Sequence, residues 1–226
     1  MRTLEQINRI KNRLAPPYAV EQFLTNTEII KLIQLFENTQ QDKVYKNTGP
    51  ITLTLELDNP LIASIIDRIK SKIGLFEVTA AFFFYTETPH IIHNDDTFEL
   101  PEVYKGITLP LRIDGTGIPK LCFFKQHYFH GPAKFFNGSK DVPTYYNKQV
   151  YNYTKVDGIV DTPFIDKQNI LTHLHSSWLN GLSLDRTLDW VPGNALIFDS
   201  VQLHCASDFT QLNISSKLGI SIFTKL

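Results

Sequence analysis

Residues 190–204 read WVPGNALIFDSVQLH, and this stretch indicates the fold more clearly than any other part of the chain. Pro192, Gly193 and Asn194 predict a tight turn. The next five residues, ALIFD, form a short apolar run, which is typical of a buried strand when turns bound it. A second turn after this strand would then hold His204 at the open end of a β-sandwich or barrel.

The rest of the chain also favours a mostly β fold. Ile and Leu alternate with Thr and Glu over residues 51–57, as expected for a half-buried strand. Several short strands separated by turn signals favour a sandwich or barrel. The predicted strands cover residues 18–24, 51–57, 75–86, 104–111, 120–124, 195–199 and 217–223.

Three helices are predicted in the N-terminal third, over residues 3–13, 25–38 and 59–74. Thr25 and Glu28 form the capping box that begins the second helix, and Pro60 suits the first position of the third. The apolar stripes of these helices predict that they pack against a sheet. The expected architecture is therefore a β core with flanking N-terminal helices.

A chain of 226 residues suits a single domain, here residues 1–226 with residues 1–16 as an N-terminal extension. The region of residues 131–190 is long, polar and rich in Tyr, Asn and Asp, which predicts an insertion or lid. A helix is predicted within it over residues 166–179. Four tyrosines of this region would either line a substrate groove or lie in a solvated loop: Tyr145, Tyr146, Tyr151 and Tyr153.

The composition argues against several classes of partner. The net charge is −1 and no run of Lys or Arg stands out, so binding to nucleic acid is not expected. Cys122 and Cys205 are too few for a disulfide framework, which favours a reduced, intracellular chain. Because no apolar run is long enough to cross a bilayer, we expect a cytoplasmic protein without membrane contact. The sequence does not indicate an oligomeric state.

His93, Asn94 and Asp95 form a His-x-Asp motif. Side chains two positions apart on a strand point to the same face, so His93 and Asp95 would reach one metal ion while Asn94 points away. With His204, they would form the 2-His-1-carboxylate triad of mononuclear non-haem iron(II) sites, which leaves one face of the metal open. A His-x-Asp motif also arises by chance in a chain with seven histidines, so the motif alone does not establish a site.

The other histidines are expected outside the triad. His90 would point to the opposite face of the strand and lie behind the ligands or in solvent. His173 and His175 fall in the predicted helix, where residues two positions apart do not share a face. His127 and His130 lie in an aromatic tract that suits either a core or a pocket wall.

Lys217 begins the predicted strand 217–223, 13 positions after His204. A cation in an apolar pocket is costly unless a carboxylate meets it, so Lys217 is a candidate charge partner for an anionic co-substrate. The ordinary alternative is a lysine at a strand end in water.

The order of these features resembles the 2-oxoglutarate/iron(II)-dependent oxygenase superfamily. Its members carry a His-x-Asp motif, a Pro-Gly turn followed by an apolar strand, a distal histidine and then a basic residue. The prolyl-hydroxylase-like and phytanoyl-CoA-hydroxylase-like branches are the most similar. The resemblance implies a double-stranded β-helix, or jelly roll, with N-terminal helices on one sheet. It also implies that His93, Asp95 and His204 bind Fe(II) and that Lys217 holds the distal carboxylate of 2-oxoglutarate.

The activity that this resemblance implies is that of a dioxygenase (hydroxylase). It would use Fe(II), 2-oxoglutarate and O2, with ascorbate as a reductant, and would release succinate and CO2. The substrate would be an amino acid, a peptidyl residue or a small acid. The family often has a serine two positions after the basic residue, where this chain has Gly219. Tyr85, Thr108 and Ser221 are the candidates for the missing hydroxyl contact with 2-oxoglutarate.

Two other functions remain open from the residues alone. A non-catalytic, cupin-like jelly-roll protein would bind a metal or ligand without turnover. A zinc hydrolase would use the same three ligands with a metal-bound water. Succinate formation from 2-oxoglutarate distinguishes the oxygenase from the first alternative, and the metal content after anaerobic purification distinguishes it from the second.

Overall fold

The computed structural model describes residues 2–41, 51–96, 101–135 and 156–226. Within these residues the elements follow the order α1 (Leu4–Lys11), β1 (Tyr18–Val20), α2 (Asn26–Gln41), β2 (Ile51–Thr54), α3 (Pro60–Ile73), β3 (Glu77–Thr86), β4 (Val103–Gly115), β5 (Lys120–Tyr128), β6 (Val156–Asp157), α4 (Ser176–Leu179), β7 (Leu184–Asp189), β8 (Ala195–Asp199), β9 (Gln202–Ala206), a 3-10 helix (Phe209–Leu212) and β10 (Ile214–Lys225).

Strand β10 lies inside the larger sheet, between β4 and β3. The strand order of this sheet is β1-β8-β4-β10-β3-β2, and its neighbours pair antiparallel. Side chains alternate along β10, so Leu218 and Ile220 belong to an apolar cluster on the outer face. Lys217, Gly219 and Ser221 therefore point to the inner face.

Helices α2 and α3 cover the outer face of the larger sheet. Their buried side chains in this cluster are Leu32, Phe36, Ile62, Ile65, Ile66 and Ile69. Burying an apolar side chain of this size contributes about 1.5–3 kcal/mol. The predicted capping box is confirmed, since Thr25 and Glu28 exchange side-chain-to-backbone hydrogen bonds of 2.8 and 3.3 Å. Asn59 caps α3, with Pro60 at its first position.

The smaller sheet is built around β5, which pairs with β6, β7 and β9. It faces the inner side of the larger sheet, where Phe123 of β5 contacts Phe198 of β8 with ring centroids 5.1 Å apart. Two antiparallel sheets packed face to face form a β-sandwich, and the jelly roll is a sandwich of this kind. The predicted fold class, a mostly β jelly roll with N-terminal helices on one sheet, is thereby confirmed.

Helix α1 contributes to a separate apolar cluster at the start of β4. Thr3 and Gln6 form its capping box. Ile7 and Ile10 are buried against Val103 and other residues of this cluster. The segment predicted as an N-terminal extension therefore packs against the β core.

The predicted helix over residues 166–179 is wrong, because only Ser176–Leu179 is helical. The Asp166 carboxylate accepts hydrogen bonds from the backbone N–H groups of Leu171 at 2.7 Å and Gln168 at 3.3 Å. This local turn competes with helix formation. The four tyrosines predicted to line a groove or to lie in a solvated loop fall in residues 136–155, outside the described residues. None of the helices that the structure describes combines the length and apolarity needed to cross a membrane.

Candidate metal centre

His93 and His204 lie directly opposite each other in an antiparallel bridge. Each backbone N–H donates to the carbonyl oxygen of the other residue at 2.9 Å. Opposed residues in such a pair point to the same face, and their ring centroids are 4.3 Å apart. The prediction that a turn holds His204 is wrong, because His204 lies in the middle of β9. Around His93 the backbone makes isolated bridges and not a continuous strand.

Asp95 completes the triad. Its Oδ1 atom lies 3.5 Å from Nε2 of His93 and 3.6 Å from Nε2 of His204. One donor atom from each of the three residues lies within 4.8 Å of the other two. The backbone N–H of Asp95 donates to the carbonyl of Ser200 at 2.8 Å, which fixes the residue against the turn between β8 and β9. The structure therefore brings the three predicted ligands together.

The histidine rings are oriented as metal ligands require. Nδ1 of His93 lies 2.8 Å from the carbonyl oxygen of Ile91, and Nδ1 of His204 lies 2.9 Å from that of Gln202. A carbonyl only accepts, so each Nδ1 carries the proton and each Nε2 keeps its lone pair for a metal. Burial, and then the charge of His93, lower the pKa of His204 to about 4, so its ring is neutral near pH 7. The donor set fits a divalent iron site.

Aromatic rings close the space around the ligands. The ring of His204 lies 4.7 Å from that of Phe198 and 5.7 Å from that of Phe123. A Cβ atom on Gly106 would lie 2.6 Å from the Phe198 ring and 2.8 Å from Oδ2 of Asp95. Glycine at position 106 thus leaves the room that the Asp95 carboxylate occupies.

Lys217 is buried on the inner face of β10. Its Nζ lies 4.9 Å from the centre of the Trp190 ring and 4.7 Å from that of Phe209. Within the part of the chain that the structure describes, no carboxylate pairs with this ammonium group. Burial lowers the pKa of Lys217 to about 7. Lys217 thus lies in an aromatic pocket and not at a strand end in water.

The Lys217 pocket and the triad share one interior. Burial, followed by the charges of His93, Lys134, His204 and Lys217, lowers the pKa of His90 well below its ordinary value. The His90 ring lies 4.3 Å from the His93 ring. His90 is therefore behind the ligands, which is one of the two positions predicted for it. The prediction that it points away from His93 is wrong, because the segment is not a strand there.

The three candidate hydroxyl groups have different positions. Tyr85 pairs with Leu218 and stacks on Phe36 of the outer cluster, with ring centroids 6.5 Å apart. It therefore faces away from Lys217, and the structure does not bring it to the site. Thr108 and Ser221 pair with each other across β4 and β10 on the inner face. Neither hydroxyl forms a side-chain hydrogen bond within the described residues.

Gly219 is confined by rings on the inner face. A Cβ atom at this position would lie 2.9 Å from the rings of both Phe84 and Trp190. The serine that the resemblance implies at this position would collide with them. Thr108 and Ser221 lie one step further along the same face.

The remaining histidines lie outside the triad. His173 is partly buried, and burial lowers its pKa. His175 is exposed. His127 stacks on Phe129 with ring centroids 5.8 Å apart. Among the described residues, only the three predicted ligands form a cluster that could hold a metal.

Two charged residues near the triad were not predicted. Lys134 lies opposite His93 in a second isolated bridge. Arg2 forms a buried salt bridge with Asp96, the neighbour of Asp95. Neither has a sequence signal, since both contacts join segments that are far apart along the chain.

Comparison with known proteins bears on the fold of this chain. No family model matches the sequence, and no curated protein is significantly similar to it. Solved structures are similar at 11–12% identity. The non-heme alpha ketoglutarate dependent carbocyclase SnoK from nogalamycin biosynthesis has a TM-score of 0.57 and 12% identity, over 99% of this chain and 84% of its own.

Two further structures are similar over almost the whole chain. The non-heme alpha ketoglutarate dependent epimerase SnoN, also from nogalamycin biosynthesis, has a TM-score of 0.55 and 12% identity, over 98% of this chain and 82% of its own. HygX from Streptomyces hygroscopicus, solved with nickel and 2-oxoglutarate, has a TM-score of 0.55 and 11% identity, over 99% of this chain and 87% of its own. The chain therefore has the jelly-roll fold of these enzymes.

Proposed function

We propose that this chain is an Fe(II)- and 2-oxoglutarate-dependent dioxygenase. It would hydroxylate a small-molecule or peptidyl substrate and release succinate and CO2. One observation carries the proposal: a buried lysine without a carboxylate partner among the described residues shares an interior with a 2-His-1-carboxylate triad. A buried cation of this kind is costly until an anion binds it.

The triad would hold the iron through Nε2 of His93, Nε2 of His204 and the carboxylate of Asp95. When bound, iron would supply the redox chemistry that couples decarboxylation of 2-oxoglutarate to oxidation of a substrate C–H bond. The protein would orient the two histidines through their backbone carbonyl partners at 2.8 and 2.9 Å. Such partners typically fix the tautomer and raise the basicity of the ligand.

Lys217 would bind the distal carboxylate of 2-oxoglutarate. An ammonium is a point charge and not a two-pronged donor, so additional hydroxyl donors would help to fix the carboxylate. Thr108 and Ser221 would take this role, which their position on one face of neighbouring strands supports. The rings of Trp190 and Phe209 would exclude water from the charge pair and so strengthen it.

Hydroxylation is the more specific part of this proposal. Two of the similar structures are an epimerase and a carbocyclase. The jelly-roll fold therefore accommodates different outcomes, and the triad leaves the fate of the substrate open. Product analysis by mass spectrometry would identify a hydroxylated product by a gain of one oxygen atom.

The proposal is tested by turnover of 2-oxoglutarate without substrate. With Fe(II) and ascorbate, the native chain should bind iron and form succinate slowly. His93→Ala and Asp95→Ala should abolish both. His175→Ala is the matched control, because His175 is exposed and outside the triad.

The outcomes separate the alternatives. Iron and 2-oxoglutarate binding without succinate would favour the non-catalytic, cupin-like function. Zinc retained after anaerobic purification, without binding of 2-oxoglutarate, would favour the hydrolase. Either result would overturn the dioxygenase proposal.

A further inference from the structure

Lys134 lies beside the metal ligands. It is opposite His93 in an antiparallel bridge in which the N–H of Phe135 donates to Ile92 at 2.8 Å and the N–H of Asn94 donates to Ala133 at 3.0 Å. This pattern defines a non-hydrogen-bonded pair, in which the two side chains share a face and come closest together. The side chain of Lys134 therefore leaves the backbone on the same side as the imidazole of His93.

The segment that carries Lys134 is hydrogen-bonded to the side chain of Asn94. The Asn94 side chain accepts the N–H of Ala133 at 2.7 Å and donates to the carbonyls of Gly131 at 3.0 Å and Tyr128 at 3.2 Å. Asn94 is buried between the two ligands of the His-x-Asp motif. The same motif that supplies two metal ligands thus also fixes the position of Lys134.

Lys134 has no anionic partner among the described residues. It is partly buried, so its charge is partly shielded from water. A metal ion on the neighbouring face would repel its charge further. An anion bound between Lys134 and the metal ion would lower the free energy of the site, because it would attract both positive charges.

A count of the charges in the proposed site indicates which bound molecule supplies this anionic group. The two positive charges of Fe(II) and that of Lys217 are balanced by Asp95 and the two carboxylates of 2-oxoglutarate. Among the described residues, the charge of Lys134 then has no counterpart when iron and co-substrate are in place. The remaining ligand of such a site is the substrate itself.

We infer that Lys134 binds an oxyanion of the primary substrate, which is therefore an acid. This inference rests on the proposed function and deepens it. Because the Lys134 side chain leaves the backbone on the same side as the His93 imidazole, the oxyanion would lie near a metal held by His93. The reacting C–H bond then lies close to the acidic group, as in a small carboxylic acid or a phosphate ester.

Anion binding to the loaded protein tests this inference. The native chain is held without oxygen, with Fe(II) and saturating 2-oxoglutarate so that Lys217 is occupied. Butyrate, inorganic phosphate and the neutral analogue butyramide are then titrated, and the visible absorption of the iron complex reports binding. We expect butyrate or phosphate to bind and butyramide not to bind. The preferred anion identifies the oxyanion as a carboxylate or a phosphate.

Substitutions assign the binding to Lys134. Lys134→Gln should raise the Kd of the preferred anion at least about tenfold, as expected for loss of a charged hydrogen bond. Lys134→Arg should restore most of the affinity. Lys125→Gln is the matched control, because Lys125 is exposed on β5.

The possible failures are distinguishable. Equal anion affinity in Lys134→Gln and the native chain would overturn the inference. So would a loss of 2-oxoglutarate affinity as large as the loss for the anion, since Lys134 would then belong to the co-substrate site. A native chain that binds neither iron nor 2-oxoglutarate would overturn the proposed function together with this inference.

Discussion

Arg2 forms a two-point salt bridge with Asp96, the residue that follows Asp95 in the chain. Both side chains are only 1% exposed. Arg2 also donates to the carbonyl of Phe129 at 2.9 Å. The backbone of Asp95 is bound to Ser200 on one side and is followed by this anchored carboxylate on the other. The position of the proposed iron ligand therefore depends on Arg2, which is 94 positions from its partner Asp96 in the chain.

Loosening this salt bridge should weaken iron binding. Arg2→Lys keeps the charge but loses the two-point geometry, and we expect the Kd for Fe(II) to rise about tenfold or more, as for other residues that support metal ligands. Anaerobic titration with Fe(II) measures this. Arg9→Lys is the control, since its 4.0 Å contact with Glu102 is exposed and such pairs contribute little. Native iron affinity in folded Arg2→Lys would contradict the prediction.

A methyl group at position 106 should displace the carboxylate ligand. In Gly106→Ala the new Cβ would lie 2.8 Å from Oδ2 of Asp95, so iron affinity should fall together with stability, the latter by about 1–3 kcal/mol. Gly117→Ala is a matched control, because its Cβ would crowd Leu212 at 2.6 Å and no metal ligand. Thermal unfolding of both variants measures the effect of crowding on stability. Iron titration of both variants measures the additional effect of displacing the Asp95 carboxylate. Equal iron affinity in the two would count against the role of Gly106.

Position 219 should control the co-substrate and not the metal. In Gly219→Ala the Cβ would press on the Trp190 ring at 2.9 Å, and that ring covers Lys217. We expect weaker 2-oxoglutarate binding, measured by calorimetry on the iron-loaded protein, with little change in iron affinity. Gly106→Ala should therefore weaken mainly the binding of iron, whereas Gly219→Ala should weaken mainly the binding of 2-oxoglutarate. The same pattern in both variants would contradict the assignment of two separate subsites.

Lys217 should make co-substrate binding depend on pH. Burial lowers its pKa to about 7 in the ligand-free protein. A dicarboxylate binds the ammonium form, so below this pKa the affinity should be constant. Above it the Kd should rise by up to about tenfold per pH unit, because binding then requires uptake of a proton. Calorimetric titration with 2-oxoglutarate on both sides of the pKa measures the slope. Lys217→Arg should lack this slope, since a guanidinium stays charged.

The same residue should affect the pH dependence of stability. The folded-state pKa of about 7 is below the ordinary value of about 10.4. Between these values the unfolded chain binds the proton more strongly, so the ligand-free protein should become more stable as the pH rises through this range. Thermal unfolding of the native chain and of Lys217→Met measures the contribution. An unchanged slope in Lys217→Met would show that other groups cause it.

The sequence allowed prediction of those parts of the fold that depend on neighbours along the chain. Helices α2 and α3 follow from capping residues and apolar periodicity, and β8 follows from a turn and an apolar run. Strand β9 was not predicted, because the turn predicted after β8 was extended as far as His204, whereas only two residues, Ser200 and Val201, separate the two strands. Strand β7 was not predicted, because its sequence LDRTLD is mostly polar.

The candidate site likewise has a part that the sequence predicts and a part that depends on contacts between distant segments. The order of the motifs was enough to select His93, Asp95, His204 and Lys217, which the structure places in one interior. The positions of the supporting groups depend on pairing between distant strands. The choice between Tyr85 and the Thr108–Ser221 pair required the register of β3, β4 and β10. No local pattern contains that register.

The aromatic pocket of Lys217 would also make the lifetime of the protein in a cell depend on the concentration of its ligand. A ligand that binds only the folded form stabilises it by about 2.7 kcal/mol at a hundredfold excess over its Kd. Proteases in a cell remove chains in proportion to the unfolded population. A folded form that buries this cation without a carboxylate partner among the described residues would persist longer when dicarboxylate is plentiful. The abundance of this protein would then follow the carbon metabolism that supplies 2-oxoglutarate.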